Sequence, residues 1–259
     1  MQMRTQMFEK RKDLMEGLSA YISPVDPDWR GRLIPPEPKK LEELQMYLEM
    51  QKENPKVPES YFKFACYVAE GDGGLLYEGE EFRFIMPSKI TEHINNNDEL
   101  DNGVACVYDL ITGLMCYIDL ENDGKISKEG DYYISSSFEN FLFQRAVEKF
   151  EERYFSKDLG FWFGRRFSFE QKKALDTVLK EFIQRNQMQT VWFNDEYFLF
   201  AYNQEYSFWI IQDESFEEKV AVSGIFYGND IDKIQRELLP QIGAVASWTK
   251  EGDQLIRLD

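Results

Sequence analysis

The alternation of apolar and polar positions gives the two halves of the chain different textures. Residues 4–22 place Phe8, Leu14, Met15, Leu18 and Ile22 at helical spacing, which predicts a helix. Pro24, Pro27, Pro35, Pro36 and Pro38 then form a connector, because neither a helix interior nor a central strand accepts such a run. Helical spacing resumes over 37–51, with Leu41, Leu44, Tyr47 and Leu48 on one face. It returns from Pro58, suited to a first helical position, to Gly71, with Tyr61, Phe62, Ala65, Cys66 and Val68 as the stripe. Past Asp72-Gly73-Gly74 the pattern shortens to strands at 75–77, 82–86, 104–110, 114–120 and 125–127, with a short helix predicted over 87–95. Thr112-Gly113 and Asn122-Asp123-Gly124 are hairpin-turn signals. A serine run ahead of Glu139 and the Phe138, Phe141, Leu142 stripe predicts an N-capped helix over 135–153.

The second half opens on a linker-like segment, FSKDLGFWFGRRF. A helix over 167–185, begun by Ser168, carries Leu175, Val178, Leu179 and Phe182 on one side. Strands are predicted at 189–194, 197–203, 206–212 and 219–227, then a helix over 229–239 stopped by Pro240, then strands at 243–249 and 254–258. The expected class is α+β. One domain, 1–155, carries helices on one side of a mostly antiparallel sheet, and a second α+β domain follows over 160–259.

Composition narrows the function classes. With 43% hydrophobic and 15% aromatic residues, the chain has too much apolar surface for a disordered acidic segment. Lys+Arg 30 against Asp+Glu 47 gives a net charge of −17, so nucleic acid and anionic membranes are poor partners and a basic protein is the natural one. No apolar run reaches the roughly 18 residues that span a bilayer, and MQMRTQMFEKRKDLMEG lacks a signal-peptide apolar segment, so a cytoplasmic location is expected. Cys66, Cys106 and Cys116 form no CxxC pair, which predicts reduced thiols. His93 is the only histidine, so mechanisms that need two imidazoles are excluded. No cofactor, metal or catalytic residue is expected.

Four segments carry a family resemblance. They are PPEPKKLEELQMYL, then VPESYFKFACYVAEGDGG, then GLMCYIDLENDGKI, and last ISSSFENFLFQRA. In this order, over about residues 35–150, they resemble the SUKH superfamily of yeast cell-wall regulators and bacterial immunity proteins. The second is similar to that family's Leu-Pro-x-x-Tyr-x-x-Phe helix, with Asp72 where the family has Asn before Gly-Gly. The aromatic strand that commonly follows the family's hairpin is replaced here by SKEGDYYI, where Tyr132 and Tyr133 supply rings. The resemblance implies an immunity protein that covers the active site of a cognate toxin, often a basic nuclease or deaminase.

Other motifs have plainer readings. Gly73-Gly74 lacks the companions of a phosphate loop and suits a turn with positive φ. The segment from Asp119 has calcium-loop spacing at Asp119, Glu121, Asp123 and Gly124, yet Gly130 stands where a bidentate Glu belongs, so a hairpin is expected. Tyr61, Phe62 and Phe64, and Trp192, Trp209 and Trp248, are expected to fill cores, and Cys106 and Cys116 to be neighbouring core thiols. The informative feature is charge. Residues 70–131 hold 15 acidic against 4 basic residues, which is −11 of the −17. Asp72, Glu78, Glu80, Glu81, Asp98 and Asp101 are the candidate partner-binding residues of an acidic rim. A regulatory scaffold and a carboxylate-dependent hydrolase are the alternatives, the second requiring a buried acid with a raised pKa.

Overall fold

The computed structural model describes residues 2–50, 57–68, 71–75, 80–82, 103–109, 115–120, 122–128, 132–162, 167–215, 219–228, 236–242, 246–249 and 252–256. The fold is α+β, in two compact bodies. Body I is Gln6–Lys149. Body II joins Met1–Thr5 to Phe150–Asp259. The division along the chain therefore falls at Lys149/Phe150, ahead of the 155–160 boundary expected from the pattern, and the first five residues belong with the C-terminal half.

The predicted helix over 4–22 is broken in two, α1 (Gln2–Met7), most of which belongs to body II, and α2 (Leu14–Ile22) of body I. The cause is Asp13. Its carboxylate accepts the Glu16 backbone N–H at 2.8 Å and so caps a new helix start. Within the proline-rich connector, Trp29–Arg32 makes a 3₁₀ turn with Trp29 fully buried, and β1 (Leu33–Ile34) pairs antiparallel with β2 (Gly71–Asp72). The helices α3 (Pro38–Met50) and α4 (Glu59–Val68) lie close to their predicted spans, except that Gly71 has left the helix to become strand.

An antiparallel meander follows, in the order β3 (Glu80–Phe82), β4 (Gly103–Asp109), β5 (Met115–Asp119), β6 (Ile126–Lys128) and β7 (Tyr132–Ser135). The strand β7 uses the Tyr132-Tyr133 segment. The predicted helix over 87–95, residues 76–77 of the strand predicted at 75–77 and residues 83–86 of that predicted at 82–86 lie outside the described residues. The helix α5 (Phe138–Phe150) closes the unit, and the Ser137 hydroxyl accepts the Asn140 N–H at 3.1 Å. Tyr61, Phe62 and Phe64 of α4 are all buried, and Tyr61 and Phe64 meet Phe138 with ring centroids 5.4 and 6.0 Å apart. They are core, as expected of large rings on a helix stripe.

In body II the segment read as a linker is a central strand. The strand β8 (Lys157–Trp162) is bonded on one side to β13 (Lys219–Gly228) and on the other to β14 (Ala246–Thr249), all antiparallel. With β10 (Gln189–Thr190), β11 (Phe198–Tyr202), β12 (Tyr206–Ser215) and β15 (Gly252–Ile256) the order is β10-β11-β12-β13-β8-β14-β15, and the short β9 (Phe167–Ser168) also pairs with β13. The helix α6 (Phe169–Arg185) starts at Ser168 in a reciprocal capping box with Gln171. It presents Leu175, Leu179 and Phe182 to a core that includes Phe208, Ile210, Val222 and Phe226 of the sheet. Of the helix predicted over 229–239, residues 229–235 lie outside the described residues; Arg236 and Glu237 are helical, Leu238 is a turn, and Pro240 is the second residue of α7 (Leu239–Ile242), where its missing N–H is harmless. Among the described residues no helix is long and apolar enough to cross a membrane.

Candidate partner-binding face

Within body I the acidic excess is local to one run. Residues 1–69 carry 11 acidic and 11 basic residues and are balanced, whereas 70–131 carry −11. The structure assigns the described members of that run to different tasks. Asp72 ends β2, and its carboxylate accepts the Gly74 N–H at 2.8 Å, so it shapes the glycine turn. Gly73 and Gly74 adopt φ of +67° and +78°, which a side chain rarely tolerates. Arg32 braces the same turn, donating to the Gly73 carbonyl at 3.3 and 3.1 Å and gripping the Asp26 carboxylate with two bonds of 3.0 and 2.7 Å. The hydrogen bond and charge of Asp26 hold the Arg32 guanidinium above its ordinary pKa.

Asp119 is also committed. It is buried, and its carboxylate accepts the Asn122 N–H at 3.1 Å, the Asn122 amide at 2.9 Å and the Tyr133 hydroxyl at 2.6 Å. Asp123 and Gly124 adopt φ of +57° and +75°, the left-handed pair of a tight hairpin. The segment with calcium-loop spacing is thus a β-hairpin turn, and among the described residues no group of three or more His, Cys, Asp or Glu is placed to hold a metal ion.

Glu80 and Glu81 stand on β3, the end strand of the described meander. The register sets Glu80 opposite Asp109 and Glu81 opposite Tyr108. Two acidic residues therefore share one position of the sheet, an arrangement that costs stability unless a cation answers it. Asp109 was not among the candidates from sequence, because its pairing with Glu80 joins residues that are distant along the chain. Glu78, Asp98 and Asp101 lie outside the described residues, as does His93.

The buried carboxylates of Asp26 and Glu148 are paired with Arg32 and Arg145, at 2.7 and 2.9 Å, and that of Glu151 with Arg4. Cys106 sits at a bulge of β4, donates to the Cys116 carbonyl at 3.4 Å and is fully buried. Burial, with a smaller effect of Cys116, pushes its thiol well above the ordinary range, and the cysteines described are free thiols. Trp209 is buried and donates to the Tyr227 hydroxyl at 3.3 Å, and Trp192 packs edge-on to Phe193. A cleft of about 500 Å³ lined by Lys10, Arg11, Lys12, Glu59, Lys63 and Glu139 contains mixed charge, with Lys10 and Lys63 paired to Glu139 and Glu59.

No protein-family model, curated protein or solved structure matches this chain. The functional reading therefore rests on charge, register and the sequence resemblance over residues 35–150.

Proposed function

We propose that the protein is a non-enzymatic binding module whose acidic face receives a basic protein partner. The partner of best fit is a cognate toxin domain, neutralised by coverage of its active site. The observation that carries this reading is the concentration of −11 within residues 70–131, with Glu80 and Asp109 set at one register position near the sheet's end. Like charges at one register position disfavour each other, and lysine or arginine side chains of a basic partner would offset that repulsion. The resemblance to the SUKH superfamily supports the same reading, since its bacterial members include immunity proteins.

The test is affinity capture from host lysate at low and at high salt, followed by binding of the purified captured protein to wild type and to the triple variant Glu78→Lys, Glu80→Lys, Glu81→Lys. One stoichiometric basic protein is expected, held at low salt by wild type and lost by the variant. Undiminished binding of the variant at low salt would remove the acidic face from the proposal. An eluate without a stoichiometric partner would count against the binding reading itself.

A further inference from the structure

Body II contains a buried ion pair, Arg4 with Glu151, unrelated to the acidic run. Glu151, in the 3₁₀ turn Glu151–Tyr154 that follows α5, has a side chain with no solvent exposure. Beside it the Arg4 guanidinium lies among the rings of Tyr154, Phe155 and, from β11, Tyr202. It pairs with a Glu151 carboxylate oxygen, donates to the Asn203 carbonyl at 3.3 Å, and lies 5.0, 4.9 and 5.4 Å from the ring centroids of Tyr154, Phe155 and Tyr202. These are cation–π distances. Next to it, Thr5 Oγ1 and the Tyr202 hydroxyl both donate to Gln189 Oε1, at 3.0 and 2.9 Å. The Arg4 side chain keeps 15% of its surface exposed, so the socket has an opening.

The socket and its occupant have separate origins. Glu151, Tyr154, Phe155, Tyr202 and the Asn203 carbonyl all belong to Phe150–Asp259, while the cation arrives on a short segment 147 residues earlier than Glu151. A carboxylate with no solvent exposure needs a cation. The placement of carboxylate and carbonyl on two edges of the guanidinium suits a planar fork better than a compact ammonium. We propose that Glu151, Tyr154, Phe155 and Tyr202 form a guanidinium-binding site that the chain fills with its own Arg4, and that takes the arginine side chain of another polypeptide when Arg4 is absent.

Chemical rescue tests this. Arg4→Ala keeps the Cβ, and N-ethylguanidinium supplies the atoms removed. The variant is expected to lose roughly 5–15 °C of Tm. N-ethylguanidinium should restore Tm saturably, binding the variant at least about tenfold more tightly than it binds wild type or the double variant Arg4→Ala, Glu151→Gln. A hexapeptide of sequence MQMRTQ should do the same, and its lysine counterpart MQMKTQ should be weaker. If Arg4→Ala does not stay folded, the yield on refolding with N-ethylguanidinium is compared with that in tetramethylammonium at equal ionic strength. Equal yields, or equal binding to all three proteins, would overturn the site. Rescue by N-ethylguanidinium without the peptide would overturn its use by another chain. None of these outcomes depends on the acidic face of body I.

Discussion

Gly124 shows how one atom can set a local structure. It sits at φ +75°, and a Cβ there would come within 2.6 Å of Pro58 Cγ, at the start of α4. Gly124→Ala should therefore cost about 1–3 kcal/mol, from left-handed strain and the displaced proline together, read as a lower denaturant midpoint with an unchanged m-value. Buried acids make a second prediction. Burial pushes Cys106, Tyr154 and Tyr227 upward, so each keeps its proton in the folded chain at pH values where the unfolded chain has released it. Their contribution is complete below the unfolded thiol value of about 8.5 and is lost as pH rises beyond it, by up to about 1.4 kcal/mol per pH unit for each group. Denaturant midpoints between pH 7.5 and 10 should fall, and fall less in Cys106→Ala. A midpoint that rises with pH would contradict the sign. At this scale the turn of Asn122-Asp123-Gly124 was readable, because it needs only neighbouring residues. The burial of Arg4 was not, since nothing near it in the chain announces Glu151.

Elements were legible where their signals are local. Ser168 and Gln171 are three residues apart and close a capping box, and the helix after them is where the apolar spacing put it. Ser168→Ala should cost about 1 kcal/mol in thermal or denaturant unfolding, and Gln171→Ala less. Asp13 carries the same kind of signal, but it lies inside an apolar spacing that continues across it, so one helix was expected where two occur. The strand Lys157–Trp162 was missed for a different reason. It lacks period-two alternation, and the strands that define it, β13 and β14, come more than fifty residues later. Leu159, fully buried in it, should cost about 2–5 kcal/mol when cut to Ala. The acidic residues of the candidate face were visible in the sequence, but their grouping was not, because Glu80 meets Asp109 only through the register of β3 on β4. That register makes a paired prediction. Glu80→Lys should raise stability by about 0.2–1 kcal/mol while weakening the basic partner's binding. A variant that gains neither stability nor loses affinity would mean that the pairing has no functional weight.

On the scale of the molecule, a net charge of −17 drawn largely from one quarter of the chain makes association with a basic partner sensitive to ionic strength. The association rate should fall roughly 10–10³-fold between low and high salt, with a much smaller change in dissociation, measured by stopped flow or surface binding. A dissociation rate that carries the salt dependence would point instead to buried ion pairs.

Arg4 also donates to the carbonyl of Asn203, a contact that spans 199 positions. Any chain growing from its amino end must hold Arg4 in reserve until Asn203 has emerged, so the last contacts of body II belong among the latest events of synthesis. The loop-closure cost of that wait is modest, since it grows only with the logarithm of length. Its practical meaning lies in truncation. A fragment beginning at Phe150 contains the whole of the described C-terminal sheet and yet lacks Arg4, which pairs with Glu151, and a rearranged chain that joins residues 1–5 to the C-terminal half by a short link should restore that pair.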